Sequence, residues 1–404
     1  MKRQYFEMLV QNLQANSQEL LSLAANGTQT PIKYHQQDFE YVQSFLLEVH
    51  SLWETFKKNS AQQFRPKGKV LFVLSANEPF IVTFIPVIHA LLVGNQVHLK
   101  PASINSAFVV KVVEIITDSI PEWRDKLFVH ADISREAFED FVLAQRFNFV
   151  HWFGSVQVIK KVAPFFATQM IEFNPECEGN DVIFVDKTAD ISAVVPVITH
   201  SLVRHNGQCC NAIKGIFVHT QVLDTLLQAL RKEVAKLTVA GHLESTADVS
   251  ITNTTITFPD FIQQRGLQEN HVVQILQPKT GTDTTAVPTS TEHAPGILQL
   301  RGYSESLLAS CSFMPLQWLI PVVSVAEVIT AVNESPYGLG ITIFSDDDTS
   351  ISSVVDQALV ARININRDPL EVEYTQPWGG IKASGHAGVS SWFEKFINYI
   401  YIAK

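Results

Sequence analysis

Two adjacent cysteines, Cys209 and Cys210, lie in the polar and small-residue run His205-Asn206-Gly207-Gln208-Cys209-Cys210-Asn211-Ala212. An acidic run begins upstream at Glu176, and 34 residues separate Glu176 from Cys210. A thiol that attacks a carbonyl carbon needs a nearby base, either to deprotonate it or to activate water afterwards. The two runs therefore offer a nucleophile and a base, and their flanking glycines let backbone approach a reacting centre closely.

The same cysteines have a plainer interpretation as two small buried hydrophobes, because free cysteine is among the most buried residue types. Four cysteines in 404 residues do not form a disulfide framework. No Cys-x-x-Cys or Cys/His spacing indicates zinc, so we expect no metal. The surrounding pattern has to decide between the two interpretations.

Composition and charge narrow the classes of function. The chain is 46% hydrophobic and 17% charged, which is typical of a globular protein, and its 404 residues predict two or three domains. A formal net charge of −10 without a basic cluster argues against a nucleic-acid partner. We expect no signal peptide from residues 1–6 and no membrane span. Free cysteines without an export signal favour a cytoplasmic protein.

Helical and strand patterns alternate along the chain. Helical spacing of apolar residues covers about residues 3–25, 38–58 and 85–93, and short apolar runs predict strands at residues 70–74, 97–99, 149–153 and 215–218. This order predicts an α/β fold with doubly wound sheets, in which ligands bind at the carboxyl ends of the strands. Residues 278–295 are rich in Thr, Pro and Gly and predict a loop.

Several short motifs follow one another between about residues 68 and 386. Besides the cysteine run and Glu176-Cys177-Glu178-Gly179, they are Ser75-Ala76-Asn77-Glu78-Pro79, Gly94-Asn95-Gln96-Val97-His98-Leu99-Lys100-Pro101, Phe153-Gly154-Ser155, Ala189-Asp190-Ile191, Asn333-Glu334-Ser335-Pro336-Tyr337-Gly338-Leu339 and Pro377-Trp378-Gly379-Gly380-Ile381-Lys382-Ala383-Ser384-Gly385. Each motif alone is weak, but the ordered set resembles the aldehyde dehydrogenase superfamily. In that family the cysteine run reads Gly-Gln-x-Cys-x-Ala and the acidic run reads Glu-Leu-Gly-Gly.

The resemblance implies two doubly wound α/β domains: a Rossmann-type cofactor domain at residues 1–178, to which residues 386–404 return, and a catalytic domain at residues 179–385. It implies oxidation of an aldehyde to a carboxylic acid with NAD or NADP, in which Cys210 forms a thiohemiacetal and then a thioester. Glu176 would activate the hydrolytic water. The Asn77 side-chain amide and the Cys210 backbone N–H would bind the developing alkoxide, and the neighbouring Cys209 should point elsewhere.

The cofactor interpretation rests on three places. Gly154 and Ser155 follow a strand and open a helix, so their amides could meet a pyrophosphate. By resemblance, Lys100 bonds the adenosine ribose. Many NAD-specific relatives carry Glu where this chain has Ser103, and a hydroxyl there removes the repulsion of a 2′-phosphate. We therefore expect NADP to be accepted at least as well as NAD.

The chain also departs from the family pattern. Ile159 stands where a second Gly of the phosphate turn is common, and Met314 stands where a Glu usually holds the nicotinamide ribose; Glu305 is a substitute if the local loop differs. The resemblance begins at the family's first long helix, and the two-stranded oligomerisation flap is cut to residues 61–65. A tetramer is therefore not expected, and a homodimer remains open.

Two other functions remain open alongside the aldehyde dehydrogenase. A CoA-acylating reductase on the same fold is favoured by residues 179–182 and 187–191, although Glu176 would activate water in competition with CoA. A catalytically weak binding or scaffolding member is suggested by Met314 and Ile159. For the substrate, Glu78 and Arg204 fall where the family lines its aldehyde tunnel. Two charges there would favour a polar or carboxylate-bearing aldehyde, unless they pair with each other or face solvent.

Overall fold

The computed structural model describes residues 2–250, 258–267, 271–278, 295–386 and 388–402. Its helices are α1 (Arg3–Ala15), α2 (Ser17–Thr28), α3 (Ile32–Asn59), α4 (Pro79–Val93), α5 (Ser106–Ser119), α6 (Phe138–Gln145), α7 (Val156–Thr168), α8 (Ile191–Val203), α9 (Leu223–Val234), α10 (Phe258–Gln264), α11 (Glu305–Leu308), α12 (Val325–Glu334), α13 (Asp348–Gln357) and α14 (Trp392–Lys395).

The strands are β1 (Gln63–Pro66), β2 (Lys69–Val73), β3 (Gln96–Lys100), β4 (Leu127–Val129), β5 (Phe149–Phe153), β6 (Glu172–Glu176), β7 (Val182–Val185), β8 (Gly215–His219), β9 (Val239–Ala240), β10 (Val249–Ser250), β11 (Val272–Leu276), β12 (Gly296–Leu300), β13 (Leu316–Val322), β14 (Tyr337–Gly338), β15 (Gly340–Phe344), β16 (Arg362–Ile365), β17 (Ile381–Lys382) and β18 (Ile397–Ile400). Most of them belong to two larger sheets.

The first sheet has five parallel strands in the order β4-β3-β2-β5-β6. Its central strand β2 is an apolar run buried on both faces, as helices packed on both sides of a parallel sheet require. The strand order reverses between β2 and β5. In doubly wound sheets, the crevice at such a switch point is where ligands bind.

The second sheet has seven strands in the order β11-β12-β13-β8-β7-β15-β16, and within it only the β11–β12 pair is antiparallel. The predicted α/β fold class is therefore confirmed. The chain passes from the first sheet to the second between Glu176 and Val182. The domain limits proposed from the sequence stay a prediction.

Several element boundaries differ from the sequence prediction. The helix predicted over residues 3–25 is two helices, because Asn16 leaves the helical conformation (φ −107°, ψ 11°) between α1 and α2. The next two helices begin earlier than predicted, at Ile32 and at Pro79, where proline suits a first helical turn. The strand predicted at residues 149–153 has those bounds. The predicted loop at residues 278–295 lies almost wholly outside the described residues.

The C-terminal segment packs on the first sheet's side of the molecule. Strand β18 pairs antiparallel with β1, and the side-chain amide of Asn95 donates to the carbonyl of Phe396 at 3.1 Å. Helix α14 precedes β18 and contacts α4. The last helix is thereby held close to the carboxyl ends of β5 and β6. Among the described residues, no helix combines the length and apolar character that crossing a membrane requires.

Candidate active site

A cavity of about 850 Å³ lies where the carboxyl ends of β2, β5 and β6 face the cysteine run. Of the seven catalytic and cofactor-binding residues predicted from the sequence, five line it, namely Asn77, Gly154, Ser155, Glu176 and Cys210, and so do the substrate-tunnel candidates Glu78 and Arg204. Lys100 and Ser103 do not line it; they follow β3 at its edge, next to Ala102, which does. Residues from both sheets thus converge on one chamber.

The turn before Cys210 has an unusual backbone. His205, Asn206 and Gly207 all have positive φ, at 45°, 55° and 67°. Positive φ is sterically costly for non-glycine residues and persists only where surrounding contacts hold it. Here Asn206 exchanges hydrogen bonds with Ser250 at 3.0–3.1 Å. The turn aims the two cysteines differently: Cys209 is fully buried, whereas Cys210 is partly exposed and lines the cavity.

Two glycines let backbone segments meet at the cysteine run. A Cβ on Gly179 would lie 2.9 Å from the Cys210 carbonyl oxygen, which the Gly179 N–H bonds at 3.1 Å. A Cβ on Gly207 would lie 2.4 Å from the carbonyl oxygen of Met314. Met314 therefore contacts the cysteine run through its backbone, and neither Met314 nor Glu305 lines the cavity. The suggestion that Glu305 replaces the missing ribose ligand finds no support in this arrangement.

The thiol of Cys210 lies in a negative environment. Burial raises its pKa well above the ordinary value, and the charges of Glu78, Asp181 and Glu176 raise it further. Lys214 opposes them; its ammonium group donates to the Gly207 carbonyl oxygen at 2.5 Å. Arg362 also interacts electrostatically with Cys210, but the pKa of the thiol stays raised, and a raised pKa favours the neutral thiol over the thiolate.

Asn77 touches the cysteine run directly. Its side-chain amide donates to the carbonyl oxygen of Gln208 at 2.9 Å, and a long contact of 3.5 Å to the Oε2 of Glu78 leaves its second amide hydrogen only weakly engaged. The Cys210 N–H makes no hydrogen bond to the described residues. Two donors are thus present on the wall where an alkoxide on the attacked carbon would form.

Arg204 is less free than the sequence suggested. Its guanidinium group pairs with the fully buried Asp38 at 2.5 Å and donates to Gln37 at 3.0 Å. Glu78 has φ 49° and lines the cavity, and burial raises its pKa. Arg204 and Glu78 therefore do not form the mutual ion pair considered above; Arg204 is neutralised by a carboxylate behind the cavity wall.

His35, Asp38 and His205 have potential ligand atoms within 4.8 Å of one another and could in geometry hold a metal ion. Both Asp38 oxygens already have partners, however: Arg204 on one and the Nε2 of His205, at 2.9 Å, on the other. The guanidinium group already supplies a cation there, and an additional metal ion would be repelled. The cluster accordingly connects α3 to the cysteine run.

Two side chains accept hydrogen bonds from the backbone N–H groups in the first turn of α7. Ser155 caps the helix, because its Oγ accepts from the Val158 N–H, and the carboxylate of Glu178 accepts from the Val156 N–H at 3.0 and 3.2 Å. Burial raises the pKa of Glu178, and the hydrogen bond from Val156 counteracts part of that rise. An anion that approaches this helix N-terminus has to displace Glu178. Ile159 is buried in the core beside Trp152, so it does not obstruct the turn.

Two cations stand at the outer end of the cavity. Lys100 is half-buried, and its pKa is lowered by burial and by the charge of Arg135, which lines the cavity. Neither forms an ion pair with any carboxylate in the described part of the chain. Arg135 lines the same cavity as the Gly154–Ser155 turn, and Lys100 interacts electrostatically with Arg135. These two cations fit an anionic dinucleotide, so the chamber suits NAD or NADP despite Glu178.

Three residues of the site were missed in the sequence. Glu178 lies inside a recognised motif, where a Glu in place of Gly was the signal. Arg135 follows no motif. Lys395 bonds Glu176 from 219 residues away, and no local pattern marks a contact at that separation.

A buried cysteine run, a glutamate and an amide at the switch point of a doubly wound sheet define a site for covalent catalysis on a carbonyl group. The aldehyde dehydrogenase family model matches residues 1–403. Aldehyde dehydrogenase family 3 member A2 of Pongo abelii is 23% identical over 402 residues, covering 95% of this chain and 79% of the relative. The 4,4′-diaponeurosporen-aldehyde dehydrogenase of Staphylococcus aureus is 24% identical, covering 82% of this chain and 69% of that protein.

The fold matches solved structures as well. The structure of succinic semialdehyde dehydrogenase from Streptococcus pyogenes, in complex with NADP⁺, superimposes on this chain with a TM-score of 0.86 at 19% sequence identity. The superposition covers 100% of this chain and 90% of that protein. This chain belongs to the aldehyde dehydrogenase family. It is an oxidoreductase that oxidises aldehydes with NAD or NADP, and the CoA-acylating and non-catalytic alternatives are not favoured.

We predict that Glu178→Ala tightens cofactor binding. At an effective dielectric constant of about 20, two unit charges about 8 Å apart repel by about 2 kcal/mol, so removal of the carboxylate should lower the Kd of NAD and NADP by about tenfold or more. In the wild type, binding should strengthen as pH falls, because a protonated Glu178 no longer repels a pyrophosphate; the variant should lack this dependence. Tryptophan fluorescence titrations at several pH values measure both effects.

Glu139→Ala removes an exposed acidic residue from the first turn of another helix, α6, and serves as the control. It should leave both Kd values unchanged. Equal or weaker binding in Glu178→Ala would show that the carboxylate does not compete with the cofactor.

Proposed function

We propose that Cys210 is the nucleophile of this aldehyde dehydrogenase, that Glu176 activates the hydrolytic water, and that Asn77 with the Cys210 N–H stabilises the alkoxide. The observation that supports this assignment best is that all three side chains line one cavity, from which Cys209 is excluded. The Cys210 sulfur would attack the aldehyde carbon as its thiol proton leaves to solvent through the cavity, and the product would be the alkoxide of a thiohemiacetal. A bound NAD or NADP would supply the hydride acceptor for that carbon, and Cys210 would then carry the thioester.

The protein side chains then complete the reaction. Asn77 and the Cys210 amide hold the oxyanion in both addition steps, and a single donor of this kind is worth roughly 10²–10³ in rate. Glu176 takes a proton from water as that water attacks the thioester carbonyl. The carboxylic acid leaves, and the thiolate of Cys210 takes up a proton, which the negative environment of the thiol favours.

Cys210→Ser should reduce turnover by at least about 10³-fold, because the covalent step is lost, whereas Cys209→Ser should keep most of it. Glu176→Gln should release one rapid equivalent of reduced cofactor and then stall, slowed by about 10²–10⁴-fold. Stopped-flow absorbance of the reduced cofactor separates these behaviours. Equal losses in both cysteine variants, or steady turnover in Glu176→Gln, would remove the respective residue from the mechanism.

The aldehyde pocket is mainly apolar and aromatic, and this changes the substrate expected from the sequence. Tyr41 and Tyr374 meet edge to face with ring centroids 5.5 Å apart on its wall, together with Ile81 and Ile85. Five carboxylates line the cavity, namely Glu78, Glu176, Glu178, Glu371 and Glu373, whereas the lining residue Arg204 is neutralised by Asp38. We therefore propose uncharged apolar aldehydes as substrates, in place of the carboxylate-bearing ones.

The expected result is a kcat/KM for hexanal and benzaldehyde at least about tenfold above that for succinic semialdehyde, whose carboxylate is repelled by the glutamates that line the cavity. Tyr374→Ala should raise the KM for hexanal about tenfold, because about 1.5 kcal/mol of apolar burial is lost. Tyr401→Ala changes a tyrosine that is 91% exposed and should have no effect. A preference for the semialdehyde would reverse the assignment.

The unpaired cations at the outer end also bear on cofactor choice. We propose that Lys100, Arg135 and Ser103 receive the 2′-phosphate of NADP, since a phosphate between two cations gains charge-assisted hydrogen bonds. NADP should bind at least as tightly as NAD, and Ser103→Glu should shift the ratio of Kd values toward NAD by about tenfold. Fluorescence titration measures the ratio, with Ser51→Glu on the exposed face of α3 as the control. A ratio that Ser103→Glu leaves unchanged would contradict the assignment.

A further inference from the structure

Glu176 is held by a residue from the far end of the chain. The Nζ of Lys395 lies 3.1 Å from the Oε1 of Glu176, and their side chains are only 3% and 7% exposed. Lys395 is the last residue of α14, and 219 residues separate the two. A buried carboxylate and a buried ammonium group of this kind each require the other, because either one alone would be an uncompensated charge.

Among the titratable groups around Glu176, Lys395 is the one that supplies a positive charge to the carboxylate. His151 on β5 places its Nε2 3.7 Å from the Oε1 of Glu176, and the Asn174 amide donates to its Nδ1, so the ring proton is on Nε2. Burial, and then Lys395, hold the pKa of His151 well below its usual value, so its ring is neutral. The other titratable neighbours are the thiols of Cys177 and Cys210, whose pKa values are both raised.

The two oxygens of Glu176 are not equivalent. Oε1 accepts the hydrogen bond from Lys395, whereas Oε2 is buried and accepts none from the described residues. Glu176 lines the cavity, as does Trp392, which lies in the same helix as Lys395 with its ring centroid 5.3 Å from the ammonium nitrogen. Helix α14 therefore contributes both a wall of the cavity and the partner of its carboxylate.

We propose that Lys395 is the positioning residue of the hydrolytic step: it anchors Oε1 of Glu176, supplies the counter-charge of the buried carboxylate, and leaves Oε2 to take the proton from water. This inference rests on the proposed role of Glu176 as the base. Burial favours the protonated form of a carboxyl group, and a neighbouring ammonium group reverses that preference. Without Lys395, a larger fraction of Glu176 would be protonated at neutral pH and unable to accept a proton.

The test compares Lys395→Met and Lys395→Arg with the wild type by stopped-flow and by steady-state turnover over a pH series. Lys395→Met should keep the initial burst of reduced cofactor, lose about 10²-fold in steady-state rate near pH 7, and need a pH about one unit or more higher to reach half its maximum. Lys395→Arg should restore most of the rate and the profile, since a guanidinium group preserves the charge.

Lys67→Met is the matched control, because Lys67 pairs with Glu172 at the opposite end of the same strand, β6. It should leave the pH profile unchanged. The double variant Glu176→Gln/Lys395→Met provides a measurement that does not depend on turnover. Its Tm should exceed that of Lys395→Met alone, because the unpaired buried carboxylate is gone.

The outcomes separate the two proposals. If Glu176→Gln stalls after the burst but Lys395→Met keeps the wild-type pH profile, the positioning role is overturned and the role of Glu176 stands. If Glu176→Gln turns over normally, the role of Glu176 is overturned and the inference falls with it. A shifted profile that Lys395→Arg fails to restore, with a wild-type Tm, would also contradict a role based on charge.

Discussion

The buried carboxylate of Asp38 connects the two halves of the active site. It lies on α3, and its oxygens bond Arg204 and His205, which precede the nucleophile. Burial alone would raise the pKa of Asp38, yet His205 and Arg204 hold it below its usual value. Removing one partner of such a group typically costs about 3–5 kcal/mol, so α3 and the cysteine run are held together. The strained backbone at His205 and Asn206, which costs about 1–3 kcal/mol per residue, depends on these contacts.

The charges around Cys210 affect the thiol between reactions as well as during the reaction. Glu78, Asp181 and Glu176 favour the protonated thiol of Cys210, and two cations of the site are already paired with carboxylates: Arg204 with Asp38, and Lys395 with Glu176. A thiol that stays protonated reacts slowly with oxidants and alkylating agents. In the proposed function, the same negative surroundings would also repel anionic substrates, so the protection of the Cys210 thiol and the proposed choice of aldehyde would have one electrostatic cause.

Local sequence patterns predicted those features that depend on neighbouring residues, namely strand bounds and the residues of short motifs. The strand at residues 149–153 is an apolar run between turn signals, and it was predicted with its exact bounds. The motifs around Asn77 and Cys210 identified two residues that line one cavity. The break between α1 and α2 was missed because helical periodicity continues through Asn16. Met314 was interpreted through its side chain, whereas its carbonyl against Gly207 is what contacts the site. The domain limits remain a prediction.

The contacts that escaped the sequence are long-range pairs of buried charges. Arg204 meets Asp38 across 166 residues and Lys395 meets Glu176 across 219. Partners of this kind are selected by the tertiary fold, and neither periodicity nor spacing carries information about them. Glu178 was visible within a motif, but its hydrogen bond to Val156 required the geometry of the start of α7.

The order in which the chain is synthesised determines when Glu176 can form its ion pair with Lys395. Domains generally fold as units during synthesis, with N-terminal segments first, and β6 is complete long before α14 and β18 are translated. Until α14 has been synthesised, Glu176 therefore lacks its cationic partner. The docking of β18 against β1 delivers Lys395, so maturation of the active site is a late folding event, separate from the formation of the sheets that support it.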